Sequence, residues 1–271
     1  MKAKIHPTAV IHPTAVIEDG VEIAPYVVIG EDVKIGGGTY VGPHCIIEFA
    51  EIGRNNQLTG SAFIGLPAQD FGYKGEKTKI IIGDGNSIRE GVSLHRASKP
   101  ELVTKIGNGC MFMANSHVGH DGLVGNNVVM VNSSVLAGHC EVEDKVLISG
   151  LVAVHQFTRI GFMAMATGGA MVNLDLPPYC RAQGDRAKLV GLNVVGMRRS
   201  GMSREAIKSV KDAYKTLFMS HMRLSEAIAK VRQNRIAPEA EHFVKFCEGT
   251  KRGVMHARMR GARVDQTESD D

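Results

Sequence analysis

Aliphatic side chains recur at every sixth position over most of the chain between Ile5 and Ile160. The longest uninterrupted runs are Ile5, Ile11, Ile17, Ile23, Ile29, Ile35, Val41 and Ile47, and then Ile106, Phe112, Val118, Val124, Met130, Leu136, Val142, Ile148, Val154 and Ile160. Shorter runs lie between them, at Ile52, Leu58 and Ile64 and at Ile82, Ile88 and Leu94. A period of six fits neither a helix nor a lone amphipathic strand, and it is typical of the hexapeptide class of parallel β-helix.

This period predicts a mainly β chain in which each hexad forms one short strand and one corner. Three hexads would close one triangular coil, and successive coils would stack at the strand spacing of about 4.8 Å. Glycine often follows the aliphatic residue, as in "IGEDVK" and "VGNNVV", and it suits corners with unusual backbone angles. The core is therefore predicted to be a column of Ile, Val and Leu. The hand of the coil does not follow from the spacing.

Two segments interrupt the period, at residues 66–80 and 96–105. An insertion can project from one corner of a solenoid without disturbing the stack. Long loops on a regular scaffold often carry function. Both segments are therefore candidates for part of a binding site.

After residue 180 the six-residue period ends and a helical pattern begins. Ser203 is a candidate N-cap, with Glu205 in the following turn. One apolar helix face follows, made of Ile207, Val210, Ala213, Tyr214, Leu217 and Phe218. Two more helices are predicted from Leu224 and from Pro238. The expected organisation is a β-helix domain over residues 1–190, a helical domain over 191–264 and a disordered tail over 265–271.

Composition narrows the class of protein. Apolar residues make up 44% of the 271 positions, a value typical of a globular protein. The five cysteines are scattered, without the close pairing of a zinc site or a disulfide framework. The N-terminus lacks the apolar centre of a signal peptide, and no run of about 18 apolar residues occurs. We therefore expect a cytoplasmic protein without an integral membrane segment.

Charge is distributed unevenly along the chain. The formal net charge is only +4, but residues 181–264 carry 19 Lys or Arg against 7 Asp or Glu. This excess indicates an anionic partner, such as an acidic protein, the phosphates of a nucleotide or a membrane surface. A solvated helical face accounts for it equally well.

Histidines recur at about the spacing of one coil. His120 and His139 are predicted to lie on neighbouring coils at nearly the same corner, and His155 follows after a slightly shorter interval. We therefore predict a cluster of these three, which His117 and His95 could join.

Three roles are open for such a cluster. Metal binding is disfavoured because stacked coils spread histidines along a line, although Asp121 could contribute a ligand. The histidines could also be structural corner residues. We favour a general base, since imidazole has a suitable pKa. The chain has no nucleophile elbow, P-loop or dinucleotide fingerprint, which favours direct transfer from an activated donor to a hydroxyl.

Several motifs together resemble the UDP-N-acetylglucosamine O-acyltransferase family of lipid A biosynthesis. They are "MANSHVGHD", "LAGH", "AVHQF", "GGAMVNLDLPPYCRAQGD" and "GLNVVGMRRSGMSREAI", and the likeness extends over nearly the whole chain. The resemblance implies a left-handed parallel β-helix of hexapeptide repeats with a C-terminal α-helical domain. It also implies a cytoplasmic homotrimer with active sites between neighbouring subunits.

The reaction implied by this resemblance moves a 3-hydroxyacyl chain from acyl carrier protein to the glucosamine 3-hydroxyl of UDP-N-acetylglucosamine. The acyl donor is the 4'-phosphopantetheine of the carrier protein, and neither another cofactor nor a nucleic-acid partner is expected. His120 would be the general base, Asp121 its orienting carboxylate, and the Gly138 N–H the donor to the thioester oxyanion. No metal ligand is implied.

The residues expected to bind substrate are Asp70, His95, His117, His139, His155, Gln156, Gly168, Asn193, Arg198 and Arg199. In the family, a glycine at the position of Gly168 leaves room for a longer acyl chain, here about C12 to C14.

The chain departs from the family pattern at three positions. Gly72 stands where a substrate-contacting lysine is usual, with Lys74 two residues later, and Val195 and Ser200 replace a carboxylate and an arginine near the nucleotide.

Two alternatives follow from these departures. The acceptor could be a 3-amino-3-deoxy sugar nucleotide, which would yield an amide, or the chain could be a non-catalytic trimeric paralogue. The joint presence of His120, Asp121, Gly138 and Gln156 argues against the paralogue. A coenzyme A donor is disfavoured by the carrier-type motifs.

Overall fold

The computed structural model describes residues 2–257. Within this range the chain winds through three sheets in rotation, so that each sheet receives every third strand. One coil takes three hexads in the regular part, where His117 pairs with Val135 and Val135 pairs with Ala153. This is the coil length that the six-residue period predicts. The predicted tail, residues 265–271, lies outside the described residues.

Within residues 2–257, twenty-six short strands form the coils. Those before the first inserted loop are β1 (Lys4–Ile5), β2 (Val10–Ile11), β3 (Val16–Ile17), β4 (Glu22–Ile23), β5 (Val28–Ile29), β6 (Lys34–Ile35), β7 (Tyr40–Val41), β8 (Ile46–Ile47), β9 (Ala50–Ile52), β10 (Gln57–Leu58) and β11 (Phe63–Leu66). Those between the loops are β12 (Ile80–Ile82), β13 (Ser87–Ile88) and β14 (Ser93–His95). The remainder are β15 (Thr104–Ile106), β16 (Met111–Phe112), β17 (His117–Val118), β18 (Leu123–Val124), β19 (Val129–Met130), β20 (Val135–Leu136), β21 (Glu141–Val142), β22 (Leu147–Ile148), β23 (Ala153–Val154), β24 (Arg159–Ile160), β25 (Met165–Ala166) and β26 (Met171–Val172).

The coils give the solenoid three flat sides. Sheet A begins with β1, β4 and β7, sheet B with β2, β5 and β8, and sheet C with β3, β6 and β9. All strand pairs between coils are parallel, as in the pairing of β17 with β20. We name each corner by the two sheets that it joins, so the chain turns from sheet B to sheet C at the B–C corner.

The predicted apolar column forms the core. Every hexad residue from Ile23 to Ile160 is buried, and Phe112 is among the largest fully buried side chains. The column is thereby confirmed from the second coil onward. The prediction of a buried side chain is wrong for Ile5, which is 46% exposed because the first coil packs against only one neighbouring coil.

The two inserted loops lie where the period predicted them, with slightly shorter bounds. They span residues 67–79 and 96–103, because the flanking strands extend by one or two residues. Arg96 holds the first loop to the coil. It donates to the Gly65 carbonyl over 2.9 Å and to the Tyr73 hydroxyl over 3.0 Å, and its guanidinium lies over the Phe49 ring.

The C-terminal elements include the three predicted helices. They are α2 (Arg204–Met219), α3 (Leu224–Arg232) and α4 (Pro238–Glu248), and Ser203 caps α2 by accepting the Ala206 N–H. A short helix, α1 (Val194–Arg199), precedes them. None of the helices within residues 2–257 is both long and apolar enough to cross a bilayer.

An antiparallel hairpin between the coils and the helices was not predicted. It consists of β27 (Cys180–Gln183) and β28 (Lys188–Leu192), and β27 continues sheet A above β25. After α4 the chain returns to this end of the solenoid, where Val254 bridges to Asp175. Buried Asp175 accepts hydrogen bonds from the Arg159 guanidinium and the Thr250 hydroxyl. The helices and the last coil are therefore tied together at a buried carboxylate.

Candidate active site

The candidate site is built on the B–C corner, just after strands β17, β20 and β23. His120, Gly138 and Gln156 occupy the same register position on three successive coils. The next position holds Asp121 and His139 on the first two of these coils, and the His139 N–H donates to the His120 carbonyl. Residues about one coil apart in the sequence are thus brought together by the coil repeat.

Asp121 orients the His120 ring. The His120 Nδ1 lies 2.7 Å from Asp121 Oδ2, and both residues are buried. The carboxylate also accepts the Ser98 N–H and the Ser98 hydroxyl over 2.9 and 2.6 Å. The Asp121 N–H donates to the Thr104 hydroxyl oxygen over 2.8 Å. Asp121 is therefore held at its carboxylate by Ser98 of the second inserted loop and at its backbone by Thr104 of strand β15.

The hydrogen bonds also decide the charge of Asp121. Burial acts to raise the pKa of this carboxyl, but the hydrogen bonds from His120 and Ser98 outweigh burial and hold the pKa below its usual range. An ionised Asp121 keeps the proton of a neutral His120 on Nδ1. The Nε2 of His120 is then a free acceptor, which is the protonation state that a general base needs.

Gly138 lies directly against the base nitrogen. A Cβ at this position would stand 2.5 Å from His120 Nε2, so the His120 ring occupies space that only glycine leaves open. The buried Gly138 donates its N–H to no acceptor among residues 2–257. A proton acceptor and a free N–H donor thus stand side by side, an arrangement that can serve a reacting hydroxyl and a developing oxyanion.

His139 and Asp70 extend the site. The His139 ring meets the His120 ring edge-on at 5.1 Å between centroids, stacks on Phe157 at 4.6 Å, and places Nε2 3.4 Å from Asp121 Oδ2. A carboxylate oxygen of Asp70, a ring nitrogen of His120 and a ring nitrogen of His139 all lie within 4.8 Å of one another. The coil stacking does not spread these three potential ligands along a line, because Asp70 reaches the corner from the first inserted loop.

His95 and His117 form a second pair one coil below. Their ring centroids are 5.2 Å apart, His117 Nδ1 lies 2.8 Å from the Ser93 hydroxyl, and His95 Nδ1 lies 2.6 Å from the Pro67 carbonyl. Burial, with smaller effects from His95 and His120, lowers the pKa of His117 to about 4. Burial likewise lowers the pKa of His95. Both rings are therefore neutral at physiological pH.

His155 stands apart from the predicted histidine cluster. It lies on the same corner but is exposed, and its Nδ1 lies 2.8 Å from an Arg252 guanidinium nitrogen and 3.1 Å from the Gln156 carbonyl. Among the ring contacts of residues 2–257 it packs against neither His120 nor His139. The cluster therefore contains two of the three predicted histidines. Gln156 is exposed beside it.

Four predicted site residues lie elsewhere in the chain. Gly168 is at an A–B corner, where a Cβ would meet only the Gly150 carbonyl at 3.6 Å. Asn193 caps α1 by accepting the Gly196 N–H, and it donates to the Met163 carbonyl. Arg198 and Arg199 are exposed at the end of α1. The fold of one chain does not bring these four to the His120 corner.

The atypical positions have local contacts of their own. The Gly72 N–H donates to Asp70 Oδ1 over 2.6 Å, and Lys74 Nζ donates to the Phe71 carbonyl over 3.3 Å. Lys74 is thus turned toward its own loop. Val195 is exposed, and the Ser200 hydroxyl donates to the Met197 carbonyl.

Sequence reasoning missed the residues that support the site. Thr104 precedes Asp121 by about one coil, so the hexad register would have indicated it, whereas Ser98 lies in the second inserted loop, where the register gives no position. Phe157 occupies the register position of His139 one coil later and could have been found in the same way. Arg252 had no sequence signal, because its approach depends on the return of the chain after α4.

A family model described as "Udp N-acetylglucosamine O-acyltransferase; Domain 2" matches residues 175–255. A protein from Anaeromyxobacter sp. (strain Fw109-5), named acyl-[acyl-carrier-protein]–UDP-N-acetylglucosamine O-acyltransferase, is 46% identical over 205 residues, which are 75% of this chain and 80% of the relative. The chain belongs to the UDP-N-acetylglucosamine O-acyltransferase family. A family member from Myxococcus xanthus (strain DK1622), which carries the same name, is 49% identical over 205 residues, with the same coverage of 75% and 80%.

Solved structures of the UDP-N-acetylglucosamine O-acyltransferase family agree with the fold. LpxA from Acinetobacter baumannii superposes with a TM-score of 0.89 at 37% identity, covering 93% of this chain and 99% of the other. LpxA from Bacteroides fragilis gives a TM-score of 0.90 at 36% identity, covering 93% and 100%. The predicted fold class, a β-helix of hexapeptide repeats with C-terminal helices, is confirmed, and the parallel strand pairing fits the left-handed coil.

Proposed function

We propose that this protein transfers a 3-hydroxyacyl chain from acyl carrier protein to the glucosamine 3-hydroxyl of UDP-N-acetylglucosamine, in the cytoplasm, as the first step of lipid A biosynthesis. The observation that carries the proposal is the His120–Asp121 pair, with the free Nε2 of His120 against Gly138. The names of the relatives that match most of the chain describe acyl transfer from acyl carrier protein to an oxygen of UDP-N-acetylglucosamine, which supports the proposal.

The first step is attack of the sugar oxygen on the thioester carbonyl. A hydroxyl is a weak nucleophile, so the Nε2 of His120 accepts its proton as the new C–O bond forms. The negative charge of Asp121 stabilises the resulting imidazolium through the 2.7 Å contact at Nδ1. The former carbonyl oxygen takes up the electron pair, and the Gly138 N–H donates a hydrogen bond to it.

The second step is collapse of the tetrahedral intermediate. The C–O double bond reforms and the C–S bond breaks, and the phosphopantetheine sulfur leaves with the electron pair. His120 returns its proton to this sulfur, so the carrier thiol and the sugar ester are the products and the base is neutral again. The step requires no cofactor beyond the phosphopantetheine of the donor.

Substrate contacts follow from the side chains around the base. Asp70 and His139 lie beside His120, and Gln156 lies on the same corner, where sugar hydroxyls and the pantetheine amides can hydrogen-bond to them. His117 and His95 lie on the coil below and are proposed to contact the substrate as neutral imidazoles. His155 is exposed on the same corner and is proposed to line the groove with them. Gly168 leaves space for an acyl chain of about C12 to C14.

The helical region offers a surface for the acidic carrier protein. Arg204, Lys208, Lys211 and Lys215 follow one another at helical spacing on α2, and each is fully or partly exposed. Complementary charge steers association with an acidic partner. Asn193, Arg198 and Arg199, around α1, are proposed to bind the uridine diphosphate instead.

Two sides of the solenoid support assembly into a homotrimer. In the later coils, the strand residue that precedes each buried hexad residue faces outward, and on two sheets these residues are apolar. On sheet A they are Met111, Val129, Leu147 and Met165, and on sheet B they are Val135, Ala153 and Met171. The corresponding row of sheet C carries the charged residues Lys105, Glu141 and Arg159, with Leu123 between the first two. Packing of apolar sides between copies would bring Gly168 and Asn193 of one subunit toward the His120 corner of the next.

Product analysis by mass spectrometry tests the proposal. The protein would be mixed with 3-hydroxyacyl carrier proteins of several chain lengths and either UDP-N-acetylglucosamine or its 3-amino analogue. Ester formation with the ordinary sugar is expected. Amide formed only from the amino sugar would favour the alternative acceptor, for which Gly72 and the inward-turned Lys74 are the structural reason. No product with either sugar would favour the non-catalytic paralogue.

A further inference from the structure

Three potential metal ligands converge at the base. We propose that one Zn²⁺ ion binds per chain to Asp70, His120 and His139, and that the bound ion inhibits the protein by occupying the Nε2 of His120. The donor atoms of these three residues lie within 4.8 Å of one another. Two imidazoles and one carboxylate form a ligand set that zinc accepts in proteins, with water completing the tetrahedron.

The surroundings of His120 already match those of a metal-bound histidine. Such a ring usually donates its second N–H to a carboxylate, which fixes the ring orientation and makes the ligating nitrogen more basic. Asp121 takes this position at Nδ1, and Ser98 holds Asp121 in turn. The Nε2 has no hydrogen-bond partner among residues 2–257, and one ring nitrogen of His120 lies within 4.8 Å of donor atoms of both Asp70 and His139.

Only a small movement is needed to close the site. Zinc lies about 2.0–2.2 Å from nitrogen and oxygen ligands, so tetrahedral donors are about 3.4 Å apart. Asp70 is exposed on the inserted loop, with one carboxylate oxygen bound by the Gly72 N–H, so its side chain can approach the two rings. His139 is partly exposed and can shift on the face of Phe157.

The second histidine pair explains why the ion would select this corner. His95 and His117 lie as close together as His120 and His139, but their Nδ1 atoms face the Pro67 carbonyl and the Ser93 hydroxyl. Within residues 2–257 no carboxylate is hydrogen-bonded to either ring, so a dication there would lack a compensating charge. Two carboxylates, those of Asp70 and Asp121, lie beside the pair formed by His120 and His139.

Binding is tested by titrating the metal-free full-length protein with ZnCl₂ in a calorimeter. We expect one tight site per chain in the wild type, and Asp70→Asn and His139→Gln should each weaken it at least tenfold, the lower end of the loss seen when even an outer-shell partner is removed. His12→Gln is the matched control, because the His12 side chain is exposed and hydrogen-bonds to Thr14, far along the chain from the proposed ligands. It should bind as the wild type does. Equal zinc affinity in all four proteins would overturn the site.

Inhibition is tested separately, because it rests on the proposed function whereas binding does not. Acyl transfer should fall as free Zn²⁺ passes through the measured dissociation constant and should recover when EDTA is added. The residual activity of His139→Gln should require at least tenfold more zinc for the same fractional inhibition. Zinc binding with undiminished transfer would overturn the inhibitory role. Absence of transfer without zinc would instead refute the proposed function and leave the calorimetric result standing.

Discussion

Two histidine pairs of nearly equal geometry occupy adjacent coils and have different chemistry. His120 and His139 meet edge-on at 5.1 Å, and His95 and His117 meet edge-on at 5.2 Å. Asp121 contacts both rings of the first pair, whereas a hydroxyl and a carbonyl contact the second. Burial without a carboxylate lowers the pKa of His117 to about 4, too low for an effective base near neutral pH. The partner of the ring, rather than the spacing of the histidines, decides which pair can transfer a proton.

The largest expected effect comes from removing the base. His120→Ala should lower kcat by roughly 10²- to 10⁴-fold, the usual contribution of general acid–base catalysis. The melting temperature should stay close to that of the wild type, because His120 lies at a corner and outside the apolar column. His117→Gln should lose much less activity. Equal losses of kcat in the two variants would contradict the assignment of the general base to His120 rather than to the pair of His95 and His117.

The next effect tests the contact between the base and the proposed oxyanion donor. Gly138→Ala should lower kcat by about 100-fold, because a Cβ 2.5 Å from His120 Nε2 displaces the ring and a shift of about 1 Å can cost that much. Gly150→Ala is the matched control, since its Cβ would stand 3.4 Å from the nearest atom, the Asn132 carbonyl. Similar kinetics for both alanine variants would contradict the proposed packing.

Removing the charge of Asp121 should have a somewhat smaller effect. Asp121→Asn keeps the shape of the side chain but weakens the hydrogen bond to Nδ1, so kcat should fall roughly 10- to 40-fold, the equivalent of about 1.5–2.2 kcal/mol. Steady-state kinetics should show the loss mainly in kcat, with KM little changed, because Asp121 acts through His120. A loss confined to KM would indicate a substrate-binding role instead.

The smallest expected effect is a pH dependence of stability that arises from the pair formed by His95 and His117. His117 has a pKa of about 4 in the fold, against about 6.5 in the unfolded chain. Between these values the unfolded state binds a proton that the native ring does not, so stability falls as the pH decreases from about 6.5 to about 4. The melting temperature should decline by a few degrees over this range.

The same titration distinguishes His117 from other groups. His117→Gln should show a shallower decline, while His12→Gln, which leaves the buried pair intact, should keep the slope of the wild type. An unchanged slope in His117→Gln would mean that other groups cause the acid sensitivity.

Much of this fold could be predicted because each coil repeats the same short pattern. The hexads locate the strands and the column, and counting by coils brings His120 next to His139. The hairpin of β27 and β28 escaped prediction because it has no counterpart in the repeat. Asp70 could be named by family likeness, but its approach to His120 depends on how the first loop folds back. His155 was misplaced because its register position is that of Gly119 and Ala137, two residues before the position that His139 and Phe157 share.

The inserted loops have a consequence for how the solenoid can change over evolutionary time. Three hexads separate His117 from its partner Val135, whereas the first loop adds the length of two hexads between Phe63 and Ser93, and the second adds one between Ser93 and His117. By the logarithmic dependence of loop closure on length, each lengthening costs about 0.5 kcal/mol or less in chain entropy. Asp70 and Ser98 are therefore carried by segments that the apolar column tolerates at almost any length. If these loops bind the sugar as proposed, the loop sequence can change, as at Gly72, while the coils that hold His120 stay unaltered.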